Sequence, residues 1–430
     1  MQSQVEYKQK TFGSIEHDPS WSFNDLKRKD TSYLTHCYHR YPAKFIPQLA
    51  RRLIVENSVD DELVCDPFYG SGSAILEALL CGRRALGTDI NPLAFLVTKA
   101  KTTPIDQTLL REHISSITQD VQQFNGTTTD LEIPKELSGW FDSSTLSKLY
   151  DILDRIETVT NLDVRIFFLC AFSHILKVSS YWNNGSIKPH KKPDKFSKRD
   201  NDPVRKFVTH LLRMETRNAD LISLLSQKIT LRLNEYRDIQ DSDARHIQAE
   251  DDSVSLVVTS PPYVISYEYR DIHSLSLYLL RKSLRSIPSR KCFIGSFSRK
   301  SSSTYLKSTT GEFIVRNLLE RDTSLALTVN SYFLDMQECL VRMENLLRSG
   351  GRVAIVIGNT TLRGVKILNA EVFSEILSNI GMSRVQVIKR QIPFKSLPSM
   401  RDPKSGRFVT SKASNISVAY PHEYLLVFQK

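Results

Sequence analysis

Leu63-Val64-Cys65-Asp66-Pro67-Phe68-Tyr69-Gly70-Ser71-Gly72-Ser73 is the stretch that decides how this chain is built. Leu63–Phe68 is short and largely apolar, as a strand buried on both faces must be. It ends in an acid and a proline, then two glycines, before an apolar segment of helical spacing over Ser73–Cys81. Arg84–Ile90 reads as a second strand, and Pro92–Lys101 as a second helix, opened by a proline that sacrifices no helical hydrogen bond there. Strand–helix–strand–helix in this order predicts a parallel sheet with right-handed crossovers, an α/β domain of doubly wound, Rossmann-like type.

Outward from this core the pattern changes twice. Residues 1–30 are polar and weakly patterned, and are read as a loosely packed arm. Tyr41–Asn57 contains an amphipathic helix that buries Phe45, Leu49, Leu53 and Ile54 on one face. From residue 103 to 235 helical periodicity dominates, which predicts a mostly helical insertion. Within it, Ser186–Lys206 carries eight basic residues against three acids and is read as a mobile loop. The sheet resumes at Ser253–Thr259, and helices are expected over Glu268–Lys282, Leu325–Leu347 and Asn369–Ile380. Arg352–Ile357 is a further strand, and Arg384–Ile392 with Glu423–Gln429 should close the sheet as an antiparallel edge. The organisation is therefore an arm (1–30), a first sheet half (31–102), the insertion (103–235) and a second sheet half (236–430).

Composition narrows the setting. The six cysteines contain no C-x-x-C pair, which argues against a metal site or a disulfide framework and for a reducing cytoplasm. No apolar run has the length of a membrane span, and the N-terminal residues lack a signal-peptide core. A net charge of +11 suits a polyanionic partner.

The second informative stretch is Thr259-Ser260-Pro261-Pro262-Tyr263, directly after the apolar run Val254–Val258. Two prolines remove backbone donors, so the turn presents mainly carbonyl acceptors, and the tyrosine adds a stacking face. Acceptors beside a flat ring suit a planar molecule with an exocyclic amino group, such as cytosine or adenine.

This pentapeptide resembles the catalytic motif of the DNA amino-methyltransferases, which methylate cytosine N4 or adenine N6 with S-adenosylmethionine. Asp66-Pro67-Phe68-Tyr69-Gly70-Ser71-Gly72 is similar to the family's cofactor loop, and Thr88-Asp89-Ile90-Asn91-Pro92 to the acidic turn after its second strand. His39-Arg40-Tyr41-Pro42-Ala43-Lys44-Phe45 is similar to the segment that precedes the cofactor loop in one branch. The resemblance implies S-adenosylmethionine as cofactor. Gly70 and Gly72 would let it approach the backbone, Asp89 would accept from its ribose and Asp243 from its adenine amino group. Phe45 and Phe68 would wall the methionine end, beside Pro67. Asp66 has two readings, a cofactor ligand or a brace for the glycine loop. No Gly-Lys-Ser/Thr follows, which disfavours ATP hydrolysis.

For the transfer itself, the Ser260 side chain and the Pro261 carbonyl would accept the amino hydrogens of a base flipped out of the duplex, with Tyr263 stacking on it. In the family the Thr-Ser-Pro-Pro-Tyr form is found more often on cytosine-N4 enzymes, so N4 is favoured over adenine N6. An RNA methyltransferase and a catalytically silent DNA-binding protein are the rivals. Double-stranded DNA would be gripped by basic segments: Lys188–Lys206, with Lys188, Lys191 and Lys192; Arg281–Lys300; and Lys389–Lys412, with Arg390, Lys395, Arg401 and Arg407. Trp182 is read either as near the substrate cleft or as a core residue. A separately acting restriction endonuclease is a possible partner, and the motif order places target recognition in the insertion.

Overall fold

The computed structural model describes residues 12–27, 29–42, 45–123, 133–183, 185–191, 202–265, 268–301, 305–392, 400–401, 417–418 and 422–430. Helix α1 (Pro47–Asn57) leads into β1 (Leu63–Asp66), α2 (Ser73–Leu80), β2 (Arg84–Thr88) and α3 (Pro92–Thr102). Then come α4 (Gln107–Gln122), α5 (Ser143–Glu157), α6 (Leu162–Ser179), α7 (Pro203–Leu224), α8 (Gln227–Leu231) and α9 (Leu233–Tyr236). Strands β3 (Arg237–Gln240) and β4 (Val254–Thr259) follow, with α10 (Tyr269–Ile272), α11 (Ser274–Leu279), α12 (Thr309–Leu319) and α13 (Thr323–Leu346). The rest comprises β5 (Leu347–Gly358), a hairpin of β6 (Thr360–Leu362) and β7 (Val365–Ile367), α14 (Asn369–Asn379), β8 (Ser383–Gln391), a ribbon of β9 (Met400–Arg401) and β10 (Ser417–Val418), and β11 (His422–Gln429).

Seven strands form one sheet in the order β3-β2-β1-β4-β5-β11-β8. The first five are mutually parallel, while β11 runs antiparallel to both β5 and β8. Chain order runs outward from β1 to β3 on one side and from β4 to β5 on the other. The reversal therefore falls between β1 and β4, where a parallel sheet opens a crevice at its carboxyl edge. Asp66 ends β1 and Thr259 ends β4, so the two motifs read from the sequence meet at that point.

The parallel strands are apolar because helices cover both faces. Val254, Leu256, Val257 and Val258 are wholly buried. The helical segment shares a core with α3: Leu93, Val97 and Ala100 pack with Leu149, Phe167, Phe172, Phe207 and Leu211. Its helices begin where side chains cap orphan N–H groups: Asp106, Asp142, Asn161 and Asp202 each accept from the first turn.

The structure departs from the sequence expectation in three places. Residues 12–27 are anchored: Phe12 N–H donates to Glu371, Trp21 is buried beneath the Arg52 guanidinium, and Asp18 N–H bonds the Lys389 carbonyl of edge strand β8. Ser349-Gly350-Gly351 lies within β5, at the irregular start of its pairing with β4. Strand β3, which follows the helical segment, adds an outer strand beside β2. Among the described residues no helix is long and apolar enough to cross a membrane.

Candidate active site

The crevice holds a cleft of about 860 Å³, its solvent-open part included. Of the residues expected at a cofactor, Phe45, Asp66, Pro67, Phe68, Gly70, Asp89 and Asp243 line it, and Ser260 and Pro262 of the second motif stand in the same wall. Gly72 is not on that wall. It sits in the left-handed region at φ 70° as the cap of α2, and a Cβ there would lie 2.6 Å from the Thr98 side chain. Its missing side chain serves the packing of α3 on the loop, while Gly70 is the glycine that faces the cleft.

The loop is held by carboxylates. Asp66 Oδ1 accepts from Thr259 Oγ1 at 2.6 Å and from Phe68 N–H at 3.1 Å, so this acid braces its own loop and ties it to the end of β4. Asp89 accepts from Gly70 N–H and Asn91 N–H, both at 2.9 Å, one on each oxygen. Burial pushes Asp66 up to about 7 and Asp89 up to about 6, against the opposing pull of those donors. The Lys101 ammonium, buried behind the loop, donates to the Ser71 carbonyl.

Asp243 is differently placed from its expected role. Its carboxylate is engaged by Arg245, through the backbone N–H at 3.0 Å and the guanidinium Nε at 2.9 Å. Arg245 in turn reaches Asp335 at 2.9 Å, and Arg299 joins Asp335 at 2.6 Å. Asp243 thus lines the cleft as one end of an ion-pair chain rather than as an open acceptor. That chain also anchors the loop after residue 290, whose Phe293 and Ile294 face the cleft.

In the second motif the acceptors are sorted by their surroundings. The Pro262 carbonyl already accepts from the Tyr332 hydroxyl of α13 at 2.9 Å. Pro261 is buried between Ser260 and Pro262. The Tyr263 hydroxyl donates to Glu423 Oε1 at 2.8 Å, and Gly295, at φ 79°, fits against the Tyr263 backbone. Burial holds the Tyr263 phenol well above its ordinary range.

Several residues of this site were not singled out in the sequence. Tyr41, within the His39–Phe45 segment, packs on Gly70, and Tyr269 lies against it at 6.2 Å between ring centres. Both line the cleft. Behind Tyr41, at 4.7 Å, begins a group of buried imidazoles: His273, His39, His174 and His210. Only Tyr41 had a local signal; Tyr269, Tyr332 and Glu423 are brought in by tertiary structure. Among the described residues no group of three or more histidine, cysteine, aspartate or glutamate side chains is arranged to hold a metal ion.

The expected DNA contacts divide. Lys188 and Lys191 are exposed, and the Lys191 ammonium stands 5.2 Å from the Trp140 ring. Trp182, which meets Trp140 at 5.3 Å, is 2% exposed and belongs to the core of the helical segment. Arg390 is a correction: it is 1% exposed on the inner side of β8, 3.7 Å from Glu423, and offers no surface to a phosphate. Ile388, Lys389 and Arg390 are all buried because both faces of β8 are covered there, which a count of basic residues cannot register. Lys192, Lys395, Arg407 and the Arg401 side chain lie outside the described residues.

Comparison with known proteins gives consistent matches. A family model described as DNA methylase matches residues 1–99, the cofactor-loop half of the sheet. The chain is 26% identical over 423 residues to the Type II methyltransferase M.MvaI of Kocuria varians, covering 93% of this chain and 92% of that protein. It is 22% identical over 441 residues to the Type II methyltransferase M.BsoBI of Geobacillus stearothermophilus, covering 89% and 85%. A shorter match, 28% over 116 residues, covers 27% of this chain and 22% of the Type II methyltransferase M.MjaII of Methanocaldococcus jannaschii.

Proposed function

We propose that this chain, which belongs to the DNA amino-methyltransferase family, transfers a methyl group from S-adenosylmethionine to the N4 amino group of a cytosine in double-stranded DNA. The observation that carries the reading is the meeting of the two motifs in one cleft: Ser260 and Pro262 share a wall with Asp66, Gly70 and Asp89. The cofactor, when bound, supplies an electrophilic methyl on a sulfonium. The cleft suits such a group. Among the described residues Asp66 and Asp89 have no ion-pair partner, and Phe45, Phe68 and Tyr41 give the cleft apolar and aromatic walls.

The target amino nitrogen is a weak nucleophile because its lone pair is shared with the ring. Acceptors on its two hydrogens draw that pair out of conjugation. With the Pro262 carbonyl taken by Tyr332, the Ser260 hydroxyl is the acceptor at the cleft, and the carbonyl of Pro261, a buried residue outside the cleft lining, would have to supply the second. Catalysis then rests on alignment of nitrogen, methyl and sulfur. Reaching them requires the base to leave the duplex. The choice of cytosine rests on the serine of the Thr-Ser-Pro-Pro-Tyr form, by its resemblance to N4 enzymes. The Type II relatives favour a role beside a restriction endonuclease of the same specificity.

The test is nucleoside mass spectrometry of unmethylated duplex DNA incubated with the protein and S-adenosylmethionine, with Ser260→Ala in parallel. The expected product is N4-methylcytosine, lost in the variant. N6-methyladenine instead overturns the choice of base and leaves the cleft assignment standing. No methylated base on DNA of varied sequence rejects the reaction.

A further inference from the structure

Behind the catalytic turn lies a polar chain that base stacking by Tyr263 does not account for. The Tyr263 phenol hydrogen-bonds the Ser260 side chain and donates to Glu423 Oε1 at 2.8 Å. The second Glu423 oxygen lies 3.7 Å from Arg390 Nη1. Sheet register creates the arrangement, since Glu423 is paired with Arg390 on β8 and with Gly358 on β5. Gly358 brings no side chain, so among the described residues the charged or titratable groups that face the carboxylate are Arg390 and Tyr263. At the adjoining position, the His422 ring meets His17 edge-on at 4.4 Å.

Positioning alone explains this poorly. A neutral amide would satisfy the tyrosine hydroxyl, whereas a carboxylate beside an arginine that is 1% exposed is costly to bury. The cost is compounded because Arg390 Nε and Nη2 have no hydrogen-bond partner among the described residues. The direction of the bonds supplies the missing reason. A tyrosine that gives its proton to Glu423 can only accept from Ser260. Ser260 must then present its lone pair, not its proton, to the substrate.

Resting on the reading of the cleft given above, we propose that Glu423 is a positioning residue that ends a proton relay from the target amino group through Ser260 and Tyr263. As the nitrogen–carbon bond forms and the carbon–sulfur bond breaks, the nitrogen becomes cationic and the sulfur neutral. One nitrogen proton passes to Ser260 Oγ, the serine proton to Tyr263 Oη and the tyrosine proton to Glu423 Oε1. The methylated amine leaves neutral, and Glu423, partly exposed, returns the proton to water. The relay acts after attack begins, so its effect falls on turnover rather than on binding.

The experiment compares full-length wild-type protein with Glu423→Gln, Tyr263→Phe and the double variant, by single-turnover methylation of duplex DNA between pH 6 and 9. Cofactor affinity and thermal unfolding are measured alongside. Glu423→Gln is expected to slow transfer about 10–100-fold with KM values within about threefold. Tyr263→Phe should do the same, and the double variant should be no worse than the slower single, because one chain is cut twice. A Glu423→Gln enzyme with the wild-type rate overturns the relay. Should Glu423→Gln not unfold cooperatively, Glu423→Asp decides: a reduced rate with KM values kept supports the relay, and wild-type behaviour overturns it. Wild-type protein that methylates no DNA defeats the underlying reading itself, and that result precedes any comparison of variants.

Discussion

Two buried polar regions meet at Tyr41 and titrate in opposite senses. On the cleft side, burial raises Asp66 to about 7 and Asp89 to about 6. On the side of the helical segment, burial lowers His39 and His273 to about 3 and His210 to about 4. One cause, loss of water around the charged form, acts on acids and bases alike. The difference lies in the partners. Both Asp89 oxygens receive backbone N–H groups, and both acids border open space that can admit a cation. The imidazoles instead lie near one another, neutral groups and the cations Lys101, Lys177, Arg40 and Arg213: His210 bonds the Tyr38 carbonyl, and His39 bonds Ser173, which bonds Ser276. Among the described residues His174 Nδ1 and His273 Nε2 have no hydrogen-bond partner. The first region is prepared to become charged when a ligand arrives; the second is built to stay neutral.

The sharpest division between them is in cofactor affinity. Asp89→Ala removes the acceptor of two backbone donors, Gly70 and Asn91, and leaves the glycine loop unbraced. S-adenosylmethionine binding should weaken about 100-fold, the equivalent of roughly 3 kcal/mol. His273→Asn should change it by less than about threefold. Calorimetric titration of both variants decides, and equal losses would erase the contrast.

The second prediction concerns stability. The histidines have folded pKa values below the unfolded value, so their contribution is complete above about pH 6.5 and is lost as pH falls toward 3–4. For Asp89 the folded value is the higher, so its contribution is present in acid and is lost as pH rises through about 6. Between pH 6 and 4 the two slopes oppose. His273→Asn should make unfolding free energy less sensitive to acid by about 1 kcal/mol per pH unit, and Asp89→Asn more sensitive by a similar amount. Urea unfolding at pH 4.5, 5.5 and 6.5 measures the slopes; matching signs would refute the assignment.

The cleft side of this contrast was legible in the sequence and the histidine side was not, for a physical reason. Asp66, Gly70, Asp89 and Ser260 act within a few residues of a strand end, so local order betrays them. Thr259 and Asp66 were both read, but their mutual bond depends on β1 lying beside β4. Glu423, Tyr332, His174, His210 and His273 are assembled from distant elements, and none carries a motif of its own; His39 stands in the quoted His39–Phe45 segment, but its neighbours there do not reveal the group. Arg390 shows the converse failure, since a basic run was counted as surface while packing on both faces of β8 buries Lys389 and Arg390. Asp243 was expected at the cleft and lines it; the local sequence did not show that Arg245, two residues on in Ser242-Asp243-Ala244-Arg245, shares its carboxylate.

The smallest expected effect is also the most specific to the cleft. Without ligand Asp66 is half protonated near pH 7, and a sulfonium nearby favours its ionised form. Cofactor binding below that pH must therefore release a proton, and affinity must rise with pH until the carboxyl is fully ionised. From pH 7.5 to 6 the dissociation constant should increase about tenfold in the wild type. Asp66→Asn should flatten that dependence, whatever it does to the affinity itself, because the amide keeps an acceptor for Thr259 and Phe68 but cannot titrate. His273→Asn should leave it intact, since a group that titrates near 3 is neutral across the whole range. Calorimetry in two buffers of different ionisation enthalpy reads the proton directly. A wild-type affinity independent of pH, with no proton released, would mean that the carboxylates brace the loop and do nothing electrostatic for the ligand.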